Sequence, residues 1–119
     1  MREAVELRRQ LEAEGLARAR AIIEAALDLR RPDQIISGGA IGVDGLAHVV
    51  AGERGIPFSE YLPRFRRWAP GGFRERNLLI ASACTRLLCI RSGAATTYGS
   101  GWTADRAEGI GRPVTRHEI

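Results

Sequence analysis

Three glycines, Gly38, Gly39 and Gly42, stand between a short apolar run, Gln34-Ile35-Ile36-Ser37, and a stretch with helical spacing at Val43, Leu46, Ala47, Val49, Val50 and Ala51. A strand that stops at glycines and continues as a helix is the opening of a strand-turn-helix unit. Its strand can pair in parallel only through a crossover connection, so the rest of the chain must alternate in the same way.

The remaining residues do alternate. Gly55 and Pro57 close the helix, and Phe58 to Leu62 is expected as a second strand. The run Pro63 to Phe73 reads as a loop. Arg74 to Ala83 then reads as a helix with Leu78, Leu79 and Ile80 facing inward. Arg86 to Arg91, with Leu87, Leu88, Cys89 and Ile90 as an unbroken apolar run, is expected to be a central strand. A second glycine-bearing loop, Ser92 to Thr103, leads into a helix expected to begin near Thr103, and Gly111 to Thr115 closes the chain as a last strand. Before all of this, Arg2 to Leu29 has a roughly helical apolar period, with Gly15 as a possible break and an end before Pro32. The expected architecture is α/β, a three-layer Rossmann-like parallel sheet with helices on both faces. It forms one domain over residues 1–119, with a helical segment at 1–31 and the core at 34–115.

Composition narrows the class. A chain of 119 residues that is 45% hydrophobic and 27% charged can bury one core without staples and is neither disordered nor a membrane protein in type. The charged N-terminal stretch and the absence of a long apolar run give no signal core or bilayer span, so the expectation is a cytoplasmic protein without a membrane partner. Cys84 and Cys89 lack paired metal-ligand spacing and nearby histidines; they read as small core residues, and no metal site or cofactor is expected. The net charge is +4, and all 18 basic residues are arginine. Guanidinium forks match phosphate oxygens well. Arg64, Arg66, Arg67, Arg74 and Arg76, interleaved with Phe65, Trp68 and Phe73, form either a nucleic-acid or phosphate footprint or a solvated face.

Ligands of open parallel sheets sit beyond the carboxyl ends of the strands, and both glycine loops leave such ends. Glycine allows close approach to the backbone, and free amides at a helix start favour an anion. Gly38, Gly39 and Gly42 therefore make one candidate phosphate cradle at the end of the strand that closes with Ser37. Gly99, Ser100, Gly101 and Thr103 make another. Asp44 is either a helix-capping carboxylate or an acceptor for a ribose hydroxyl. Arg76 is either a phosphate partner or an exposed helix arginine, Asn77 would fix the loop through backbone groups, and His48 reads as packed or capping rather than ligating.

Three motifs in order, SGGAIGVD from Ser37, RN at Arg76-Asn77 and GSGWTA from Gly99, resemble the SLOG superfamily over about Gln34 to Thr115. This group includes the DNA-processing protein A (DprA) family, the LOG phosphoribohydrolases and small nucleotide-sensing domains. The first motif looks like S-G-G-A-x-G-[IV]-D, carried by Ser37, Gly38, Gly39, Ala40, Gly42, Val43 and Asp44, so the resemblance adds Ser37 and Ala40 to the ligand-binding set. His48 falls where DprA proteins commonly carry a histidine, and the third motif looks like S-G-[ST]-x-x-T-A. The resemblance implies a Rossmann-like fold and a nucleotide, a nucleotide derivative or a nucleic-acid phosphate as ligand. The chain departs from the family in two ways. The family normally opens with a strand and a G-S-R-like loop, whereas this sequence begins with helix-like residues, either because the start is truncated or because the helix replaces that strand in another role such as dimer contact. The helix and the sheet edge so exposed make a homo-oligomer the expectation. The glutamate that LOG enzymes use in glycosidic cleavage falls at Arg106, with Asp105 one position away.

The expected function is accordingly the binding of a nucleotide or nucleotide-derived phosphate in a two-loop cleft, with no catalytic residues assigned. The alternatives are DprA-like binding of single-stranded DNA and LOG-like nucleoside monophosphate phosphoribohydrolase activity.

Overall fold

The computed structural model describes residues 2–38, 43–91 and 99–119, and within these the side chains of 13–38, 43–91 and 101–119. In chain order the elements are α1 (Arg2–Leu29), β1 (Ile35–Ser37), α2 (Val43–Arg54), β2 (Phe58–Glu60), α3 (Phe73–Ala83), β3 (Leu87–Arg91), α4 (Gly99–Gly109) and β4 (Val114–Glu118). The alternation read from the glycine and apolar spacing is therefore present, and the protein is mixed α/β.

The strands form two parallel pairs. Ile35, Ile36 and Ser37 lie opposite Phe58, Ser59 and Glu60, while Leu87 to Arg91 run beside Val114 to Glu118. No ladder joins the pairs among the described residues, so β3, expected as a central strand, has β4 as its one hydrogen-bonded neighbour there. Leu87, Cys89 and Ile90 are buried and Leu88 is exposed. Leu87 and Cys89 pack with Ala81 and Cys84 of the α3 region and Ala104 and Ala107 of α4, together with Ile36 of β1. Ile90 packs instead with Ala19 and Ile23 of α1 and Val50 of α2. Helices thus cover β3 from both sides, as parallel strands require.

Two expectations are corrected. Leu78 and Leu79 do not face inward: they are 40% and 54% exposed, and the buried positions of α3 are Asn77 and Ala81. Ala81, Ala104 and Ala107 are all fully buried, so α3 meets α4 through small side chains and the leucines fall on other sides of the helix. Helix α4 begins at Gly99, so Gly-Ser-Gly-Trp-Thr is its first turn rather than a loop before it. The N-terminal segment is a single helix of 28 residues that runs through Gly15, where an added Cβ would only touch Ile119 at 3.8 Å.

Helix α1 is tied to α2 by charged pairs. Arg20 bonds both Glu24 and Glu53, and Arg54 donates to Asp28 at 2.6 Å. Helix α2 ends where Gly55 takes φ 65, a left-handed conformation that glycine adopts without a Cβ penalty. Among the described residues, no helix is long and apolar enough to cross a membrane.

Neither cysteine is in a disulfide, and both are buried, 7% exposed at Cys84 and 4% at Cys89. Burial pushes the Cys84 thiol above its ordinary value of 9.0, with the nearby Arg112 charge pulling the other way. The folded state therefore holds this proton more tightly than the unfolded chain. The resulting stabilisation is complete below pH 9.0 and declines as pH rises beyond it. Native protein near neutral pH should react with a thiol-specific reagent only as fast as it opens, and denaturant should release both thiols at once. Rapid labelling of folded protein would contradict this burial.

Candidate functional site

The carboxyl end of β1 is held by an arginine from elsewhere in the chain. Arg76, in the first turn of α3, donates from Nη1 to the Gly38 carbonyl and reaches the Tyr61 carbonyl at 3.5 Å. Its Nε donates to Asn77 Oδ1 at 2.7 Å. The Tyr61 amide in turn donates to the Ser37 carbonyl at 2.7 Å. One guanidinium therefore links the exits of both β1 and β2. Gly38 is needed here for space: a Cβ at that position would lie 2.5 Å from Arg76 Nη1 and 2.7 Å from its Cζ.

Asp44 stands in the first turn of α2, where a carboxylate suits the positive helix end. Desolvation lowers the proton affinity of Arg76 and the Asp44 charge raises it, so the two groups sense each other electrostatically. A half-buried arginine stays ionised, and here its charge is answered by a carboxylate and by backbone carbonyls. Ser37, Gly38, Asp44, Arg76 and Asn77 thus gather at one place. Gly39, Ala40 and Gly42 lie outside the described residues.

A second group gathers where β3 meets α4. Arg91 is the last residue of β3, and its Nη1 lies 3.5 Å from the point where a Cβ of Gly101 would stand. Gly101 and the buried Thr103 belong to the start of α4, whose first turn contains no acidic residue. For Gly99 and Ser100 the backbone alone is described, as part of that turn. The two groups connect through the core cluster in which Ile36 of β1 packs with Cys89 of β3 and Ala104 of α4. They differ in electrostatics. The α2 start carries Asp44, whereas the α4 start has a guanidinium beside it and no carboxylate in its first turn.

Arg91 is the functional candidate that the sequence reading missed. Its signal was available: it is the one basic residue that ends a strand immediately before a glycine loop, Ser92-Gly93.

The arginine and aromatic run folds back onto α4. Gly71 has φ 84, and a Cβ on Gly72 would meet the Arg67 carbonyl and the Phe65 ring, so the turn requires both glycines. The turn places Trp68 edge-on against Trp102 of α4, with ring centroids 5.1 Å apart at 88°. Arg106 lies 5.5 Å over the Trp102 ring, and Arg67 lies 4.7 Å over Phe65.

His48 stacks flat on Phe58 at 4.4 Å and places Nδ1 3.3 Å from Glu60 Oε1, so α2 is fastened to β2 by this side chain. Asp105 is 3.1 Å from Arg116 Nη2, which also bonds Glu108, and these three residues with Gly109 line a surface groove between α4 and β4. Among the described residues, no group of three or more His, Cys, Asp or Glu side chains is placed to hold a metal ion. Comparison with protein-family models, with curated proteins and with solved structures finds no match to this chain.

Proposed function

We propose that this chain binds a nucleotide or nucleotide-derived phosphate at the start of α4, between Arg91 and the amides around Gly101. The observation that carries the reading is the Arg91 guanidinium set against Gly101, at a helix start with no acid in its first turn. Free helix amides and a neighbouring cation attract the same anion, and a guanidinium can donate two parallel bonds to phosphate. The β1 exit is the second wall. There Arg76 shapes the backbone, its Nε donating to Asn77 and its Nη1 to Gly38 and Tyr61. In this reading the strand pairs belong to one Rossmann-like sheet in the order β2-β1-β3-β4, a SLOG-like arrangement supported by the shared packing of Ile36, Leu87 and Cys89.

A thermal-shift screen with nucleoside monophosphates, diphosphates and cyclic nucleotides tests the proposal. A ligand present at a hundred times its dissociation constant adds about 2.7 kcal/mol of stability, a clear rise in melting temperature. Arg91→Ala should remove most of that rise while leaving the unliganded melt within about 0.5 kcal/mol, since Arg91 is exposed. A flat response to every nucleotide would sink the reading.

Single-stranded DNA is the second reading, and a specific observation favours it. Trp68 and Phe65 are partly exposed beside Arg67, and Arg106 covers Trp102, so stacking surfaces and cations share one region. A labelled oligonucleotide should then bind at low salt and dissociate steeply as salt rises. Phosphoribohydrolase activity has less support, because Asp105 is engaged by Arg116. Release of free base from AMP or CMP that Asp105→Asn abolishes would reverse that judgement.

A further inference from the structure

β4 is an outer strand with an ordered pattern of outward-facing amides. The Leu87 amide donates to the Pro113 carbonyl at 3.0 Å, and the Ile119 amide donates to the Arg91 carbonyl at 2.8 Å. Between these ends the parallel ladder alternates, so Thr115 and His117 turn their backbone groups toward β3 while Val114, Arg116 and Glu118 turn theirs away. No strand lies beyond β4 among the described residues. Such a row of amides and carbonyls is a template for another strand.

We infer that β4 pairs antiparallel with β4 of a second copy of this chain, about a two-fold axis at His117. Charge selects both the partner and the register. With His117 opposite His117 of the second copy, Arg116 falls opposite Glu118 of that copy and Glu118 opposite its Arg116, giving two opposite-charge pairs by symmetry. Centring the axis on Arg116 also matches outward-facing groups, but it sets Arg116 against itself. Among the described residues Arg116 bonds Asp105 and Glu108 through Nη2, and its other N–H groups can meet the second copy's carboxylate. The Arg116 and Glu118 pairs are then the ones that exchange backbone bonds, and His117 forms a pair without them, with Cα atoms about 4.5 Å apart.

Sedimentation across a dilution series, combined with cross-linking, tests this interface. The wild type should sediment at twice 13.0 kDa and dissociate on dilution. His117→Cys should form a disulfide-linked dimer under mild oxidation, because about 4.5 Å lies within the range of about 4.4–6.8 Å that a disulfide spans. Thr115→Cys should not, since Thr115 faces residue 119 of the second copy. Glu118→Pro removes an outward amide and leaves the β3 ladder whole, so it should be monomeric with an unchanged circular dichroism spectrum. If that variant unfolds, Glu118→Arg serves the same purpose and should weaken the dimer roughly tenfold by placing like charges opposite each other. A monomeric wild type, a dimer insensitive to Glu118→Pro and Glu118→Arg, or cross-linking as efficient through Thr115→Cys as through His117→Cys would each overturn the proposal.

Discussion

Replacing Arg76 with alanine is expected to destabilise the protein by about 3 kcal/mol, a fall in melting temperature of roughly 10–15 °C for a domain of this size. The side chain donates to the Gly38 carbonyl, to Asn77 Oδ1 and, at longer range, to the Tyr61 carbonyl, and it faces the Asp44 charge. Removing it strips the partner from two backbone carbonyls at strand exits and leaves Asp44 without its neighbouring cation. Each lost bond to a charged group is worth about 1.5–3 kcal/mol alone, but the bonds share one side chain and do not add. Arg76→Lys should recover only part of the loss, because an ammonium group cannot reproduce the separate Nε and Nη1 donors. The geometry also predicts a coupling. Gly38→Ala in the wild type forces a methyl group to within 2.5 Å of Arg76 Nη1 and should displace the guanidinium. In the Arg76→Ala background that clash is gone, so the same Gly38→Ala change should cost little. Equilibrium urea unfolding of the four proteins measures this, and additive effects would show that Gly38 and Arg76 act independently.

Ala104→Leu is expected to cost about 3 kcal/mol by overpacking, more than Ala104→Gly, which should cost about 1 kcal/mol through helix propensity. Ala104 is fully buried in α4 among Ala81, Ala107, Cys84 and Cys89. α3 and α4 meet there through alanines, and a larger side chain must push the helices apart or adopt a strained rotamer. The same displacement would move the start of α4, so the Leu variant should also weaken the nucleotide binding proposed above. Urea unfolding with an unchanged slope and a lower midpoint is the expected signature. A change below about 0.5 kcal/mol would mean that the interface is looser than these burials imply.

The order of elements was legible because each boundary carries local chemistry. Gly55 ends α2 in a left-handed conformation, Gly71 shapes the turn before α3, and the apolar run Leu87 to Ile90 became β3. The inward face of α3 was not legible. Leu78 and Leu79 are the most apolar residues of that helix, yet the close approach of α4 selected Asn77 and Ala81 for burial. Packing distance between two helices is a tertiary property, and a single helix does not encode it. The start of α4 was misplaced for a related reason: glycines at 99 and 101 read as loop residues, and nothing local reveals that they continue as a helical first turn.

The candidate site was half legible. Ser37, Gly38, Asp44, Arg76 and Asn77 do converge, and Arg76 also bonds the backbone at the strand exits, a contact that spacing does not reveal. That long-range bond spans 38 residues of sequence, beyond the reach of spacing arguments. Arg91 was overlooked because it lies within a strand, and only the meeting of β3 with α4 brings its guanidinium to Gly101.

Backbone amide chemical shifts during titration with the nucleotide that gives the largest thermal shift test the central claim most directly. Binding at the start of α4 should give saturable shifts concentrated at Gly101 and Trp102, with smaller ones at Gly45 and Leu46 near the acid-bearing start of α2, and their loss in Arg91→Ala. Shifts centred on α2 and unaffected by Arg91→Ala, or no saturable shift with any nucleotide, would contradict it.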